Sequence, residues 1–197
     1  MTEWEKMQAG LMYNDFDDDL FQRRIIAKKL FRRYNKSDDE EVELRQKIMN
    51  EMFKKVGHNV WIEPDFRCEF GKNITIGDNV YINFGCIILD CGEVTIGNDT
   101  LLGPNIGIYP VNHALDAQER INGGCISKPV HIKEQVWLGG DVKILAGVTI
   151  GAKSIIGSGS VVTKDIPSGV IAAGNPCKVI RYITDSDKTN YLNEMKL

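Results

Sequence analysis

Aliphatic residues recur every six positions through the second half of the chain, at Ile132, Leu138, Ile144, Ile150, Ile156 and Val162. A second series runs two residues ahead of the first, at Val130, Val136, Val142, Val148, Ser154 and Ser160. The same spacing appears earlier in Ile76, Ile82 and Ile88, and again in Ile96, Leu102 and Ile108. Glycine follows the aliphatic residue at Gly77, Gly97, Gly103, Gly139, Gly151 and Gly157. A period of six matches neither the helical repeat nor simple strand alternation. It is the period of a hexapeptide repeat, in which each unit makes one short strand and one turn and successive units wind into a parallel β-helix. The glycine permits the turn, and the aliphatic side chain points into the prism.

The segment before about Val56 lacks this period. Trp4, Met7 and Leu11 are spaced as on a helix, and Leu20 to Tyr34 reads as a second helix. Ser37 and Glu40 have capping-box spacing, which predicts a third helix carrying Val42, Arg45, Ile48, Met49, Met52, Phe53 and Val56 and stopping at Gly57. Three regions follow: a helical segment over 1–57, a β-helix over 58–183 and a tail over 184–197. The coil is irregular in two places. Ile88 and Ile96 are eight residues apart, which predicts a bulge near Asp90-Cys91-Gly92. Ile108 and Ile132 are 24 apart, and the stretch of about 109–128 between them reads as a long extruded loop holding His113. Long insertions in an otherwise regular scaffold are commonly functional. The expected fold is thus mainly β, a hexapeptide β-helix with an N-terminal helical segment and one projecting loop.

Composition narrows the function classes. The 197 residues carry a net charge of −3, without the basic excess of a nucleic-acid-binding surface. No apolar run approaches the length of a membrane span, and residues 1–6 lack the apolar core of a signal peptide. Five cysteines without metal-type spacing suit reduced thiols in a cytoplasmic protein. The three histidines, His58, His113 and His131, lack the spacing of a zinc site, so no metal is expected and a γ-class carbonic anhydrase is excluded. His131 is flanked by two inward aliphatics and should point outward. His113 alone lies in the insertion.

Several motifs carry a family resemblance. They are Met7-x-Ala9-Gly10-x-x-Tyr13, Asp65-Phe66-Arg67-Cys68-Glu69-Phe70-Gly71, Tyr81-Ile82-Asn83-Phe84 and Gly103-Pro104-Asn105. The series continues with Val111-x-His113-x-Leu115-Asp116-x-x-x-Arg120, Val136-Trp137-Leu138-Gly139-Gly140 and Gly174-Asn175-Pro176-Cys177-Lys178-Val179-Ile180-Arg181. With them the chain resembles the maltose/galactoside O-acetyltransferases among the hexapeptide acyltransferases. The resemblance implies a left-handed coil, a homotrimer, and direct acetyl transfer from acetyl-CoA to a sugar hydroxyl. Carried over residue by residue, it implies His113 as general base, Asn83 as a holder of the acceptor hydroxyl and the Gly140 N–H as an oxyanion donor. Asp15, Glu69, Asp90 and Cys125 fall at acceptor-binding positions. Trp137, Ala146 and Ser158 would line the pantetheine, with Gly140 beside it. Thr163 and Lys164 would lie near the phosphates, and Lys178 and Arg181 near the nucleotide. Cys125 stands where many members carry Glu, and Cys91 where some galactoside-type relatives carry Asp, which leaves the acceptor open. A serine acetyltransferase would have a longer helical N-terminal domain. The remaining alternatives are a xenobiotic acetyltransferase, which would lack the Ala9-Gly10 block, and a non-enzymatic scaffold.

Overall fold

The computed structural model describes residues 1–189 and 191. From Lys55 onward the chain winds as a left-handed parallel β-helix of three flat faces. One face stacks Lys55–Val56, Ile74–Ile76, Val94–Ile96, Val130–Ile132 and Thr149–Ile150. The second stacks Trp61–Ile62, Tyr81–Ile82, Leu101–Leu102, Trp137–Leu138, Ile155–Ile156 and Val170–Ala173, and Lys178–Tyr182 closes it by antiparallel pairing. The third stacks Arg67–Cys68, Ile87–Ile88, Gly107–Tyr109, Lys143–Leu145 and Val161–Val162. The coil therefore starts at Lys55, slightly before the expected boundary at 58, and Gly57 belongs to its first turn rather than to a helix stop.

The six-residue period becomes vertical columns. Val56 pairs with Ile76, Ile76 with Ile96, Ile96 with Ile132 and Ile132 with Ile150. The inward aliphatics form one continuous buried cluster along the prism. Burying each such side chain contributes about 1.5–3 kcal/mol. Ser154 and Ser160 continue the valine column as buried hydroxyls, and both are satisfied. Ser154 Oγ donates to the Pro167 carbonyl at 2.8 Å, and Ser160 Oγ accepts from the Gly174 N–H at 3.0 Å. Outer corners use asparagine and aspartate in the left-handed region, where these short polar side chains are tolerated. Asn59, Asn79 and Asp99 have φ of 54°, 56° and 56°. They also form a ladder, with Asn59 Nδ2 donating to Asn79 Oδ1 at 3.1 Å and Asn79 Nδ2 to Asp99 Oδ1 at 2.9 Å.

The predicted bulge at Asp90 is built around its carboxylate. Oδ1 accepts from the Glu69 and Phe70 N–H groups at 3.0 and 2.8 Å, and Oδ2 accepts from the Asn73 N–H at 3.2 Å. Asn73 Nδ2 returns a bond to the Asp90 carbonyl at 2.7 Å. Asp90 is wholly buried, so it ties two widened corners together and offers no surface to an acceptor. The expectation that Asp90 binds the acceptor is corrected accordingly.

Helix α1 spans Glu3–Gln8, α2 spans Asp18–Asn35 and α3 spans Val42–Met52. Thr2 and Glu5 form a capping box on α1, and Asp17 caps α2. Leu11 lies beyond α1. Ser37 does not cap α3: its hydroxyl donates to the Tyr34 carbonyl at 2.6 Å and accepts from Arg45 Nε at 2.9 Å, closing α2 instead. Phe31, Tyr34, Ile48, Met49 and Met52 join the same buried cluster as Ile62, Phe66 and Ile74, so α2 and α3 plug the open end of the prism. The stretch at 109–128 is an ordered hairpin, not an irregular loop. Strands Val111–His113 and Gly124–Ser127 flank a short helix, α4, at Ala117–Ile121.

Burial pushes the Asp90 carboxyl up from 3.8 to about 6, against the opposing effect of its backbone hydrogen bonds. The folded pKa lies above the unfolded value. The stabilising contribution of the protonated acid is therefore full below about 3.8 and is lost as pH rises through 6. That span corresponds to about 3 kcal/mol. Thermal melts of the wild type and Asp90→Asn between pH 4 and 7 should show the wild type losing stability relative to the variant as pH rises. A difference in Tm that does not change with pH would contradict this.

Candidate functional site

The hairpin at 111–127 is widened to three strands by the N-terminal segment, because Tyr13–Asn14 pairs antiparallel with Gly124–Ser127. Tyr13 lies opposite Cys125, and Cys125 lies opposite His113. Directly opposed residues share a sheet face, so Tyr13, Cys125 and His113 form one row. His113 is the exposed end of the row, while Tyr13 and Cys125 are buried. His113 Nδ1 is 3.1 Å from Cys125 Sγ. Burial pushes the Cys125 thiol up to about 11, so it is neutral near pH 7. Cys125 thus meets the imidazole rather than an open acceptor cavity.

Asp15 follows this row, and its N–H donates to the Gly123 carbonyl at 2.8 Å. The guanidinium of Arg24, on α2, reaches both the Asp15 and the Glu69 carboxylates. It also donates to the Asp15 carbonyl at 3.0 Å and lies 5.1 Å from the centroid of the Phe70 ring. The two carboxylates expected at the acceptor site are therefore brought together by the cation of Arg24, to which the sequence pattern gives no role. Tyr13 enters the sequence pattern only as the last position of the Met7-x-Ala9-Gly10-x-x-Tyr13 motif, with no role attached. Arg24 is one of several basic residues on a helix, with nothing in the spacing to single it out. Tyr13 falls just after the helical period stops.

A second group gathers on one corner of the coil. Asn83 Oδ1 accepts from the Phe84 N–H at 2.8 Å, which orients the side chain and leaves its amide nitrogen without a partner among the described residues. Gly140 follows the Trp137–Leu138 strand, and its carbonyl accepts from the Gly159 N–H at 2.8 Å. The Gly140 N–H meets no acceptor among the described residues. The corner is tightly stacked here, for a Cβ on Gly139 would come within 2.6 Å of Ser158 Oγ. Trp137 stands on the outer face with 51% of its surface exposed. Ser158, Thr163, Lys164 and Lys178 are exposed, and Ala146 is partly so. Neither Lys164 nor Lys178 has an ion-pair partner among the described residues. Arg181 differs. Its guanidinium binds the Asp187 carboxylate through two bonds of 2.8 and 2.6 Å and holds that acid well below its usual range. It is paired within the chain, unlike the two lysines.

Among the described residues, no hydrogen bond or ion pair joins the His113 group to the Asn83–Gly140 group within one chain. No cluster of three or more potential metal ligands occurs among them either.

Two family models match the chain: the maltose acetyltransferase hexapeptide capping motif over residues 6–57, and the bacterial transferase hexapeptide over 129–164. The chain is 44% identical to galactoside O-acetyltransferase of Escherichia coli strain K12, over all of this chain and 97% of that protein. A maltose O-acetyltransferase from Clostridium difficile 630 superposes with a TM-score of 0.91 at 44% identity, covering 94% of this chain and 99% of the other. A hexapeptide-repeat acetyltransferase from Vibrio cholerae O1 biovar eltor, complexed with acetyl coenzyme A, superposes with a TM-score of 0.86 at 38% identity. That match covers 94% of this chain and 100% of the other.

Replacing Arg24 by Met leaves the partly buried Asp15 and Glu69 carboxylates facing one another without their cation. The expected result is a loss of about 1–3 kcal/mol in urea unfolding. The KM for the acceptor should rise at least about tenfold, with the KM for the acetyl donor little changed. An unaltered acceptor KM would remove the pair from the acceptor site.

Proposed function

Since the chain belongs to the hexapeptide-repeat acyltransferases, together with the galactoside and maltose O-acetyltransferases, we propose that it transfers acetyl from acetyl-CoA to a sugar hydroxyl with His113 as general base. The observation that carries this reading is the placement of His113. It is exposed at the end of a buried row, with Nδ1 engaged by Cys125 and the Asp15–Arg24–Glu69 group close to Cys125. The N-terminal segment with Ala9-Gly10 contributes a strand to this sheet, which favours the sugar reading over a xenobiotic acetyltransferase.

An alcohol is a weak nucleophile at neutral pH. His113 Nε2 removes the hydroxyl proton as the oxygen attacks the thioester carbonyl. The Asn83 amide donates to the acceptor oxygen, and Asp15 and Glu69 accept from neighbouring sugar hydroxyls. Charge developing on the carbonyl oxygen is met by the Gly140 N–H. Collapse breaks the C–S bond, the imidazolium returns its proton to the departing sulfur, and acetyl ester and CoA thiol are released. Trp137 and Ser158 on the second face, and Ala146 just beyond the third-face strand Lys143–Leu145, suit the pantetheine, with Thr163, Lys164 and Lys178 toward the phosphates. The five free thiols suit a reducing, cytoplasmic setting, and no described helix is long and apolar enough to cross a membrane.

Among the described residues, no hydrogen bond or ion pair joins the two halves of this chemistry within one chain. The second face also presents an outward row in which Leu101 pairs with Trp137 and Trp137 with Ile155. Both features support a homotrimer with sites between subunits, in which a cyclic arrangement closes the heterologous contact. Light scattering should give three times the 22.1 kDa chain mass at micromolar concentration, and a stable monomer would overturn the assembly.

Replacing His113 by Ala should lower turnover by roughly 10²–10⁴, with acetyl-CoA affinity and melting temperature little changed. Near wild-type turnover in His113→Ala would remove it as the base.

A further inference from the structure

We propose that Cys125 is a positioning residue for His113, holding the imidazole in the tautomer with the proton on Nδ1 and the lone pair on Nε2. The proposal rests on His113 being the base. The geometry comes from backbone register. His113 and Cys125 are opposed across the hairpin, and Cys125 and Tyr13 across the next strand pair, so the sulfur is fixed between them. The contact is 3.1 Å, close for a nitrogen–sulfur pair. Cys125 is buried and packed with Met7, Tyr13, Leu20, Phe70 and Cys91. The Tyr13 hydroxyl is itself buried without a hydrogen-bond partner among the described residues, and Cys91, Cys125 and Asp15 are its polar neighbours.

Which imidazole nitrogen carries the proton is set by the partner of the other nitrogen. A base acting through Nε2 needs its neutral proton on Nδ1, so in the proposed arrangement Nδ1–H donates to the sulfur; the 3.1 Å contact fits donation in either direction, and the nitrogen-15 spectrum decides it. A thiol sulfur is a weak acceptor, but little is required of it. A tenfold change in tautomer ratio corresponds to about 1.4 kcal/mol. The partner is also uncharged: burial pushes the thiol to about 11, with Asp15 adding to that rise and Arg24 and Tyr13 opposing it. It orients the ring without adding a negative charge against the imidazolium. The same features exclude Cys125 as an acetyl-accepting nucleophile, because a thiolate is disfavoured there and the sulfur faces Nδ1 rather than open space.

Three variants test the assignment. Cys125→Val keeps an apolar side chain of similar size and removes the acceptor, whereas Cys125→Ser keeps a hydrogen-bonding atom. Turnover should fall about 10–100-fold in Cys125→Val, with the KM for acetyl-CoA within about twofold of the wild type. Cys125→Ser should recover most of the loss. Nitrogen-15 NMR of His113 should show Nδ1–H in the wild type and Cys125→Ser. In Cys125→Val it should move toward the Nε2–H form that free histidine favours. Equal losses in Val and Ser, or an unchanged tautomer in Val, would overturn the proposal in favour of a packing role. So would an acetyl group on Cys125 by intact mass after incubation with acetyl-CoA. His113→Ala is the third variant. If it retains turnover, the base assignment fails, whereas an inactive His113→Ala beside a fully active Cys125→Val removes only the role of Cys125.

Discussion

In a parallel β-helix the hydrogen bonds that join one coil to the next also set the height and direction of every side chain. Register and core are the same constraint. Ile132 is buried because it is paired between Ile96 and Ile150, and a slip by one residue would turn each inward aliphatic outward. The inserted hairpin respects this. It leaves after Gly107–Tyr109 and returns at Val130–Ile132, which pairs with Val94–Ile96 as though nothing intervened. Long surface insertions are inexpensive when their ends are held close by the scaffold, so the coil carries a 20-residue excursion without losing its columns.

A two-stranded hairpin is marginal alone. Here the N-terminal segment supplies the missing support. Tyr13–Asn14 adds a third strand, and Ser127 Oγ donates to the Met7 carbonyl at 2.7 Å. Trp4 meets Phe70 edge-on with centroids 5.3 Å apart, and Arg23 lies 4.3 Å from the centroid of the Trp4 ring. These contacts tie α1 and α2 to the first coils and the hairpin together. The helical segment is therefore part of the site's construction, and the identity of residues near Tyr13 matters to the position of His113.

Legibility from sequence followed periodicity. The columns Ile132 to Val162 and Val130 to Ser160 could be read directly, because each coil repeats the same physical problem six residues at a time. The bulge at Asp90 showed as a broken period, but the use of its carboxylate did not. A buried acid spent on three backbone N–H groups and a surface acid waiting for a sugar look alike as letters. The Ser37–Glu40 spacing failed because Arg45 folds back to take the serine hydroxyl, a contact that only tertiary structure supplies. His113 was legible as the histidine in the insertion. Its partner was legible only as a departure from the family pattern, since the His113–Cys125 pairing depends on hairpin register. Arg24 left no sequence trace, because its meaning lies in two carboxylates distant along the chain, Asp15 and Glu69.

The site residues divide by how they are held. Asn83, Gly140 and Ser158 are fixed by the coil itself, at corners so tight that a methyl group on Gly139 would strike Ser158. His113, Cys125 and Asp15 depend on a small sheet that is pinned by side chains and by the N-terminal segment. The first set is as rigid as the stack. The second can change with a few substitutions around α1 and α2 without disturbing a column. A donor such as acetyl-CoA, long and invariant, suits the rigid set. An acceptor that differs among relatives suits the adjustable one. Cys91 and Cys125, the two departures from the family pattern, both lie in the packing cluster beneath the sheet, while Trp137-Leu138-Gly139-Gly140 lies on the coil corner. On the proposed assignment, substitutions around the Asp15–Arg24–Glu69 group would alter acceptor range while the thioester end of the reaction stays where the coil puts it.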